Sequence, residues 1–228
     1  MGQSTRLARF HSSYAYPQFG PPQPGSPVND PRIAFFDRIA ADWDHSGQNP
    51  QETIDRLSQL DEHLRLTPGL DLLEVGCGTG QITGWLASRV APGRVVAVDF
   101  AEAMLAQARA KRIDAEFRRC DVCADRLPSR TVDLVLCFHS FPHFRDQHAA
   151  MKNLAGALRP GGRLLVVHLA SIAAINAFHD GVGGEVAGDH LPNEPQWNRL
   201  LAAVGLRRTV WIDREGLFVL EGVLDDKQ

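Results

Sequence analysis

Three glycines at alternate positions follow a short apolar run in the first third of the chain. Residues 72–81 read LLEVGCGTGQ, so that Gly76, Gly78 and Gly80 interrupt the segment. Because glycine has no Cβ, such a loop turns tightly and lets a ligand approach the backbone. The dinucleotide-binding pattern is G-x-G-x-x-G, and here the third glycine comes one residue early. This spacing disfavours a nicotinamide cofactor without excluding it.

Two acidic residues follow the next two apolar segments. Asp99 comes directly after residues 94–98, and Asp121 comes shortly after residues 115–118. A carboxylate in the first position can accept hydrogen bonds from both hydroxyls of a ribose. One in the second position could accept a hydrogen bond from an adenine amino group. Either acid alone is equally well explained as a helix cap or turn residue, but their succession after a glycine loop favours a nucleotide site.

Histidines are concentrated in the second half of the chain. His139 and His143 follow the apolar run 132–138, and His168 ends the next apolar run. Histidine can act as a general base near neutral pH, and His139 and His143 are the candidate catalytic residues. Two other interpretations stay open. Each histidine can be a turn residue with a satisfied hydrogen bond, or His139, His143, His168 and His179 can bind a metal.

Alternating helices and strands must position these residues. The hydrophobic periodicity predicts strands at 72–75, 94–98, 115–118, 132–138, 163–168, 206–212 and 217–223. It predicts helices from Asp30 to Trp43 and at 52–64, 81–90, 101–111, 147–158, 171–179 and 195–204. This alternation predicts a doubly wound α/β domain with helices on both faces of a mostly parallel sheet. The short connection between the last two strands requires a hairpin, so one of them must run antiparallel.

The chain divides into two predicted parts. Residues 1–29 carry five prolines between positions 17 and 27 and no acidic residue, which favours a flexible extension over a transit peptide. Residues 30–228 form the predicted domain. Within it we expect a helical cover at 30–66, a ligand-binding core at 70–168, a lid at 169–193, and a helix and hairpin at 194–228. The proposed lid is rich in glycine and longer than a usual connection between a strand and a helix.

Composition restricts the partners of the chain. The 228 residues are 44% hydrophobic and carry a net charge of -3, which is ordinary for a globular protein. There is no basic run to attract nucleic acid and no apolar run of about 20 residues to span a membrane. The four cysteines are expected to be reduced thiols in a cytoplasmic protein. The single C-x-x-C formed by Cys120 and Cys123 is weak support for a zinc site.

These motifs occur together, and in the same order, in one known family. Residues 70–168 resemble the core of class I S-adenosylmethionine-dependent methyltransferases, especially the small-molecule branch that includes the ubiquinone and menaquinone methyltransferases. The matching segments read EVGCGTG at 74–80, VD at 98–99, AML at 103–105, D at 121, VDLV at 132–135 and LRPGGRL at 158–164. The resemblance covers a little under half of the chain.

The resemblance implies S-adenosylmethionine as cofactor and a Rossmann-like sheet of seven strands. In that family the glycine loop holds the methionine end of the cofactor, the acid at Asp99 holds the ribose, and Asp121 reads the adenine. The implied cofactor-binding residues are Glu74, Gly76, Cys77, Gly78, Thr79, Gly80, Asp99, Phe100, Met104, Asp121, Val122 and Phe138.

The resemblance also indicates where the methyl acceptor binds. In this fold the methyl group faces the ends of the fourth and fifth strands, beside His139 and His143, where Phe138, Phe141 and Phe144 would supply an apolar lining. The Asn/Asp-Pro-Pro-aromatic motif of methyltransferases that act on base or amide nitrogens is absent. We therefore expect transfer to a small, partly apolar molecule such as a thiol or a phenol. A non-catalytic cofactor-binding protein, metal-assisted chemistry with the same cofactor, and an NAD(P)-dependent oxidoreductase remain alternatives.

Overall fold

Seven strands form one sheet in the computed structural model, which describes residues 30–46 and 49–225. They are β1 (Leu72–Val75), β2 (Val95–Asp99), β3 (Glu116–Arg119), β4 (Val132–Phe138), β5 (Leu158–His168), β6 (Leu206–Arg214) and β7 (Leu217–Leu224). Their spatial order is β3-β2-β1-β4-β5-β7-β6. Only β7 runs antiparallel to its neighbours within this sheet of the described residues, which confirms the predicted topology. The extension predicted at 1–29 lies outside the described residues.

Helices connect and cover the strands. They are α1 (Pro31–Ile39), α2 (Trp43–Ser46), α3 (Pro50–Ser58), α4 (Asp61–Leu64), α5 (Thr83–Val90), α6 (Glu102–Ala110), α7 (Gln147–Ala157), α8 (Ile172–Val182) and α9 (Glu194–Ala203). Two short 3₁₀ helices span Phe141–His143 and Gly184–Val186. In the part of the chain that the structure describes, no helix is long and apolar enough to cross a membrane.

Two predicted elements end differently in the structure. The helix predicted at 52–64 is divided into α3 and α4, because the Gln59 N–H bonds back to the carbonyls of Arg56 and Leu57 and ends α3. The resulting bend lets Leu57 and Leu64 pack in the same cluster. Likewise, the helix predicted from Asp30 to Trp43 is divided by a turn between α1 and α2.

Strand β5 begins earlier than the sequence predicts. It starts at Leu158 rather than at position 163, and its pairing with β4 shifts from Val132–Leu158 to Leu134–Arg163. Residues 159–162, which contain Pro160 and two glycines, are therefore accommodated as an irregularity inside the strand. Helix α7 ends at Ala157, one residue before the predicted end of that helix.

Apolar residues on both faces of the sheet form the core. On β4, Val135 and Cys137 pack in the cluster that contains residues of α7 and α9, whereas Leu134 and Leu136 pack with residues of α3, α4 and α5. Burial of one such leucine or valine side chain stabilises the fold by about 1.5–3 kcal/mol. Because both faces are covered, a ligand can bind to the sheet only where the strands end. In parallel sheets ligands bind at the carboxyl ends of the strands.

A third cluster joins three segments above that edge. Phe36 of α1, Ala40 at the end of that helix, Met104 of α6 and Val186 of the second 3₁₀ helix belong to this cluster. Helix α1 belongs to the predicted cover and Val186 to the predicted lid. Both segments therefore share a cluster with the helix that follows Asp99.

Candidate active site

A cavity of about 500 Å³ opens at the carboxyl ends of β1, β2, β4 and β5. This volume suits an organic ligand of drug size or larger. Most predicted cofactor residues line it, namely Glu74, Gly76, Cys77, Gly78, Asp99, Phe100, Met104, Asp121, Val122 and Phe138. The predicted catalytic residues His139 and His143 line the same cavity. The topology thus brings together residues that are up to 69 positions apart, from Glu74 to His143.

Each glycine of the loop solves a different steric problem. Gly76, Gly78 and Gly80 have φ values of +70°, +54° and +76°, which side chains disfavour. A Cβ at Gly76 would collide with Ser140, and one at Gly80 would press on Ala108 of α6 at 3.2 Å. A Cβ at Gly78 would meet only Trp43, at 3.9 Å. Gly78 is therefore the glycine that leaves its backbone open toward the cavity.

Two of the predicted cofactor residues face elsewhere. The Thr79 hydroxyl donates a hydrogen bond of 2.5 Å to Asp44, a residue of α2. Gly80 packs against α6, and neither residue lines the cavity. Both therefore support the loop from behind, and Gln81, which the sequence analysis did not select, lines the cavity instead.

Glu74 and Asp99 form a buried acidic pair beneath the loop. Burial and, to a smaller extent, the charge of Asp99 raise the pKa of Glu74 to about 8. The hydrogen bond of 2.7 Å that Thr83 donates to Glu74 acts in the opposite direction and lowers this pKa. Burial also raises the pKa of Asp99 to about 6, although its carboxylate accepts backbone N–H groups of Ala101 and Gly78, each at 2.9 Å. At neutral pH, Glu74 is thus mostly protonated and Asp99 mostly ionised.

Asp121 is already engaged by the protein. One of its carboxylate oxygens accepts the Cys123 N–H at 2.9 Å, and the other pairs with the guanidinium of Arg145. Arg145 also lies 3.6 Å from Asp30, the residue that caps α1. Asp121 still lines the cavity, and so does its partner Arg145. The assignment of Asp121 to adenine recognition stays a prediction.

His139 is buried in an unusual backbone conformation at the end of β4. Its φ is +53°, and its Nε2 accepts the backbone N–H of Leu169 at 3.2 Å. Burial lowers the pKa of His139 to about 4, and the charge of Arg56 lowers it further. Because Nε2 accepts this bond, the proton of the neutral ring lies on Nδ1. His139 is therefore a poor base at neutral pH and a better hydrogen-bond donor.

His143 lies in the 3₁₀ helix that follows β4. Its Nδ1 is 2.8 Å from the carboxylate of Asp189, whose side chain is 1% exposed. The ring also contacts Phe36 and His179, with centroid distances of 5.0 Å in both cases. A histidine with one nitrogen on a buried carboxylate and its ring at a cavity wall has the geometry of a general base.

His168 and His179 carry buried ring nitrogens without protein partners. Both nitrogens of His168 and Nδ1 of His179 lack a hydrogen bond. Burial lowers the pKa of both residues, and that of His168 lies well below its ordinary value. Among residues 30–46 and 49–225, no three His, Cys, Asp or Glu side chains are arranged to hold a metal ion. The metal interpretation of the four histidines therefore gains no support.

Several residues of the cavity were not predicted from the sequence. Phe36 and Trp43 were expected only as part of the helical cover at 30–66, but both line the cavity. Arg145 and Asp189 carry no local motif, since their partners lie 24 and 46 positions away. Only a three-dimensional arrangement could identify them.

The comparison with known proteins agrees with this geometry. Residues 73–166 match the family model described as "Methyltransferase domain". A ubiquinone biosynthesis O-methyltransferase of Idiomarina loihiensis is 33% identical over 147 residues, which span 60% of this chain and 59% of that protein. A malonyl-[acyl-carrier protein] O-methyltransferase of Yersinia pestis is 32% identical over 138 residues, or 60% of this chain and 49% of that protein. The chain thus spans about half the length of these curated relatives.

A solved structure extends the likeness of fold. The magnesium protoporphyrin IX methyltransferase of Synechocystis PCC 6803, solved with bound SAH, superposes with a TM-score of 0.58 at 19% identity. The superposition covers 88% of this chain and 90% of that chain. Together with the domain match over residues 73–166 and the glycine loop, this likeness supports a class I S-adenosylmethionine-dependent methyltransferase domain that resembles the quinone methyltransferases, with S-adenosylmethionine as the implied cofactor.

Proposed function

We propose that this protein transfers a methyl group from S-adenosylmethionine to a hydroxyl or thiol of a small, partly apolar acceptor, with His143 as the general base. The observation that carries the proposal is that His143, whose Nδ1 contacts Asp189, lines the same cavity as the glycine loop and Asp99. Under this proposal, the proton acceptor and the residues that bind the nucleotide share one enclosure.

The cofactor half of the cavity fits the proposed ligand. Gly78 offers open backbone, and the carboxylate of Asp99 can accept hydrogen bonds from ribose hydroxyls. Phe100 and Met104 supply apolar surface beside the acid, as an adenosyl group requires. When bound, S-adenosylmethionine supplies a methyl group on a positively charged sulfur, which needs no further activation.

The acceptor half has different requirements. A hydroxyl or thiol becomes a stronger nucleophile when its proton leaves, and His143 can accept that proton on Nε2 because Nδ1 faces Asp189. The aromatic residues Phe36, Phe138 and Phe144 line the surrounding wall and limit the access of water. The residues thus orient the acceptor, exclude water and remove one proton.

The nature of the nucleophile follows from the need for a base. An amine that is already unprotonated would not require His143, whereas a phenol, an enol or a thiol would. The two relatives named above are O-methyltransferases by their names, which favours oxygen. Because the matched segments cover about 60% of this chain, the acceptor itself belongs to this proposal.

Transfer of labelled methyl groups to a mixed panel of phenols, thiols, amines and carboxylates tests the proposal. Binding of S-adenosylhomocysteine, measured by calorimetry in the same preparation, gives the control for an intact cofactor site. We expect label to move to a phenol or thiol, and His143→Gln to lower the rate about 10²-fold or more. Binding without any transfer would favour the non-catalytic alternative, and transfer that His143→Gln leaves intact would reject the base.

A further inference from the structure

A buried aspartate stands behind the candidate base. Asp189 lies between the second 3₁₀ helix and α9, directly after Gly188, whose φ is +80°. Its side chain is 1% exposed and is not part of any motif that the sequence analysis selected. A charged group so deeply buried is stable only when its hydrogen-bonding capacity is satisfied by partners.

Arg32 and His143 are those partners. The Nε and Nη2 atoms of Arg32 lie 2.8 and 2.6 Å from Oδ1 of Asp189, and Nε lies 3.0 Å from Oδ2. Burial raises the pKa of Asp189, but the hydrogen bonds from His143 and Arg32 outweigh it and hold this pKa below its ordinary value. Asp189 is therefore an ionised, fixed acceptor with Oδ2 directed at His143.

An ionised carboxylate can only accept hydrogen bonds, so it selects one form of the histidine ring. Nδ1 of His143 must carry a proton to make its contact of 2.8 Å with Asp189. In the neutral ring the lone pair then lies on Nε2. We propose that Asp189, held by Arg32, is the positioning residue that fixes His143 in this tautomer and so prepares Nε2 to accept the proton of the methyl acceptor.

The ion pair between Arg32 and Asp189 also joins two segments that we expect to cover the cavity. Arg32 belongs to the first turn of α1, and Asp189 belongs to the predicted lid. The charges continue from Arg32 to Asp30 at 3.3 Å and from Asp30 to Arg145, which pairs with Asp121. The orientation of His143 thus depends on segments that are far apart in sequence and meet only in the folded state.

The inference rests on the proposed function for its purpose, but its geometry can be measured without a methyl acceptor. The ¹⁵N shifts of histidine side chains distinguish Nδ1–H from Nε2–H, and His143→Gln assigns the signal. We expect Nδ1–H in the wild-type protein. In Asp189→Asn, the amide oxygen should take the position of Oδ1 near two Arg32 donors, leaving the NH₂ group to face His143. The ring should then switch to Nε2–H.

Asp180→Asn provides a matched control in the same segment. Asp180 pairs with His190 at 2.8 Å, but its side chain is 62% exposed and lies away from the cavity. This variant should leave the tautomer of His143 unchanged. Once an acceptor is known, Asp189→Asn should lower kcat about 10²-fold or more and change its pH profile, with the affinity for S-adenosylhomocysteine retained.

The outcomes separate the two proposals. An Nε2–H tautomer of His143 in the wild-type protein overturns the positioning role of Asp189. An unchanged tautomer in folded Asp189→Asn overturns it as well. The expected tautomers combined with transfer that does not depend on His143 would support the positioning geometry and overturn the proposed base.

Discussion

Gly76 and Ser140 approach each other so closely that a Cβ added to Gly76 would lie 2.3 Å from the Cβ of Ser140. Ser140 is in turn fixed by a hydrogen bond of 2.7 Å from its hydroxyl to the Val75 carbonyl. The glycine that begins the loop after β1 therefore lies directly against the segment that carries His139 and His143. The glycine loop and the proposed acceptor wall therefore share this contact.

Gly76→Ala should disturb both parts of the site. The methyl group has no space, and a φ of +70° adds about 1–2 kcal/mol of backbone strain, so we expect a loss of about 2–4 kcal/mol in the free energy of unfolding. Urea unfolding measures this loss, and calorimetry measures weakened binding of S-adenosylhomocysteine. Gly156→Ala is the control, because a Cβ at this helical glycine meets nothing within 4 Å. Equal stability of the two variants would contradict the steric argument.

Asp99→Asn should weaken cofactor binding while the fold persists. Both oxygens of Asp99 accept backbone N–H groups, and an amide nitrogen would oppose one of these donors and offer fewer acceptors to ribose hydroxyls. A lost hydrogen bond to a charged group corresponds to about 1.5–3 kcal/mol, or roughly a tenfold to hundredfold rise in the Kd of S-adenosylhomocysteine. Asp114→Asn, at an exposed position, is the control. Unchanged affinity in Asp99→Asn would place the ribose elsewhere.

Glu74→Gln should alter how stability depends on pH. The folded-state pKa of about 8 lies above the ordinary value of 4.5, so the folded state holds the proton more tightly. This stabilisation is complete below the unfolded pKa and is lost as pH rises through the folded pKa, at about 1.4 kcal/mol per pH unit between the two values. Glutamine does not ionise, so the stability of the variant lacks this dependence on pH. Urea unfolding of the unliganded proteins at pH 5 and pH 8 should therefore show wild type losing stability relative to Glu74→Gln, and parallel curves would contradict the assigned pKa.

The order of the core helices and strands could be predicted from the sequence, because it follows from local hydrophobic patterns. The alternating apolar runs and the glycine loop locate β1 and β4 at the predicted residues, and α7, which Asp146 caps, begins at the predicted position 147. The role of individual loop residues was less accessible. Thr79 and Gly80 belong to the motif, but their directions depend on α2 and α6, which approach the loop from other parts of the chain.

The acceptor side shows the same limit more clearly. His139 and His143 are separated by only three residues and look equivalent in sequence, yet one accepts a backbone N–H and the other faces a carboxylate. The difference comes from Leu169 and Asp189, which arrive from beyond β5. Local spacing contains no information about such partners, so sequence alone could not choose between the two histidines.

Two arginines of α1 provide a test of how firmly the predicted lid segment is held. Arg32 pairs with buried Asp189, whereas Arg38 pairs with Glu185 at 3.0 Å on the surface. Arg32→Met leaves the buried carboxylate of Asp189 with His143 as its remaining partner named above, and we expect it to lower the free energy of unfolding by about 3 kcal/mol. Arg38→Met should produce no measurable change, because exposed ion pairs contribute little. Urea unfolding compares them, and equal losses would mean that the burial of Asp189 does not matter.

His139 and His143 should respond differently to the same substitution once an acceptor is identified. His139→Asn keeps a side chain that tolerates a φ of +53°, and it removes a ring whose pKa of about 4 already makes it a weak base at neutral pH. We expect a change in rate of less than tenfold and a pH profile of kcat with the same shape above pH 5.

His143→Asn removes the only one of the two rings that faces a carboxylate, and kcat should fall about 10²-fold or more. An acceptor that is fully ionised at the assay pH should be methylated by both variants at similar rates, because no proton has to leave. If His139→Asn instead caused the larger loss and altered the pH profile, the base would have to be assigned to His139 and the role of Asp189 would be structural.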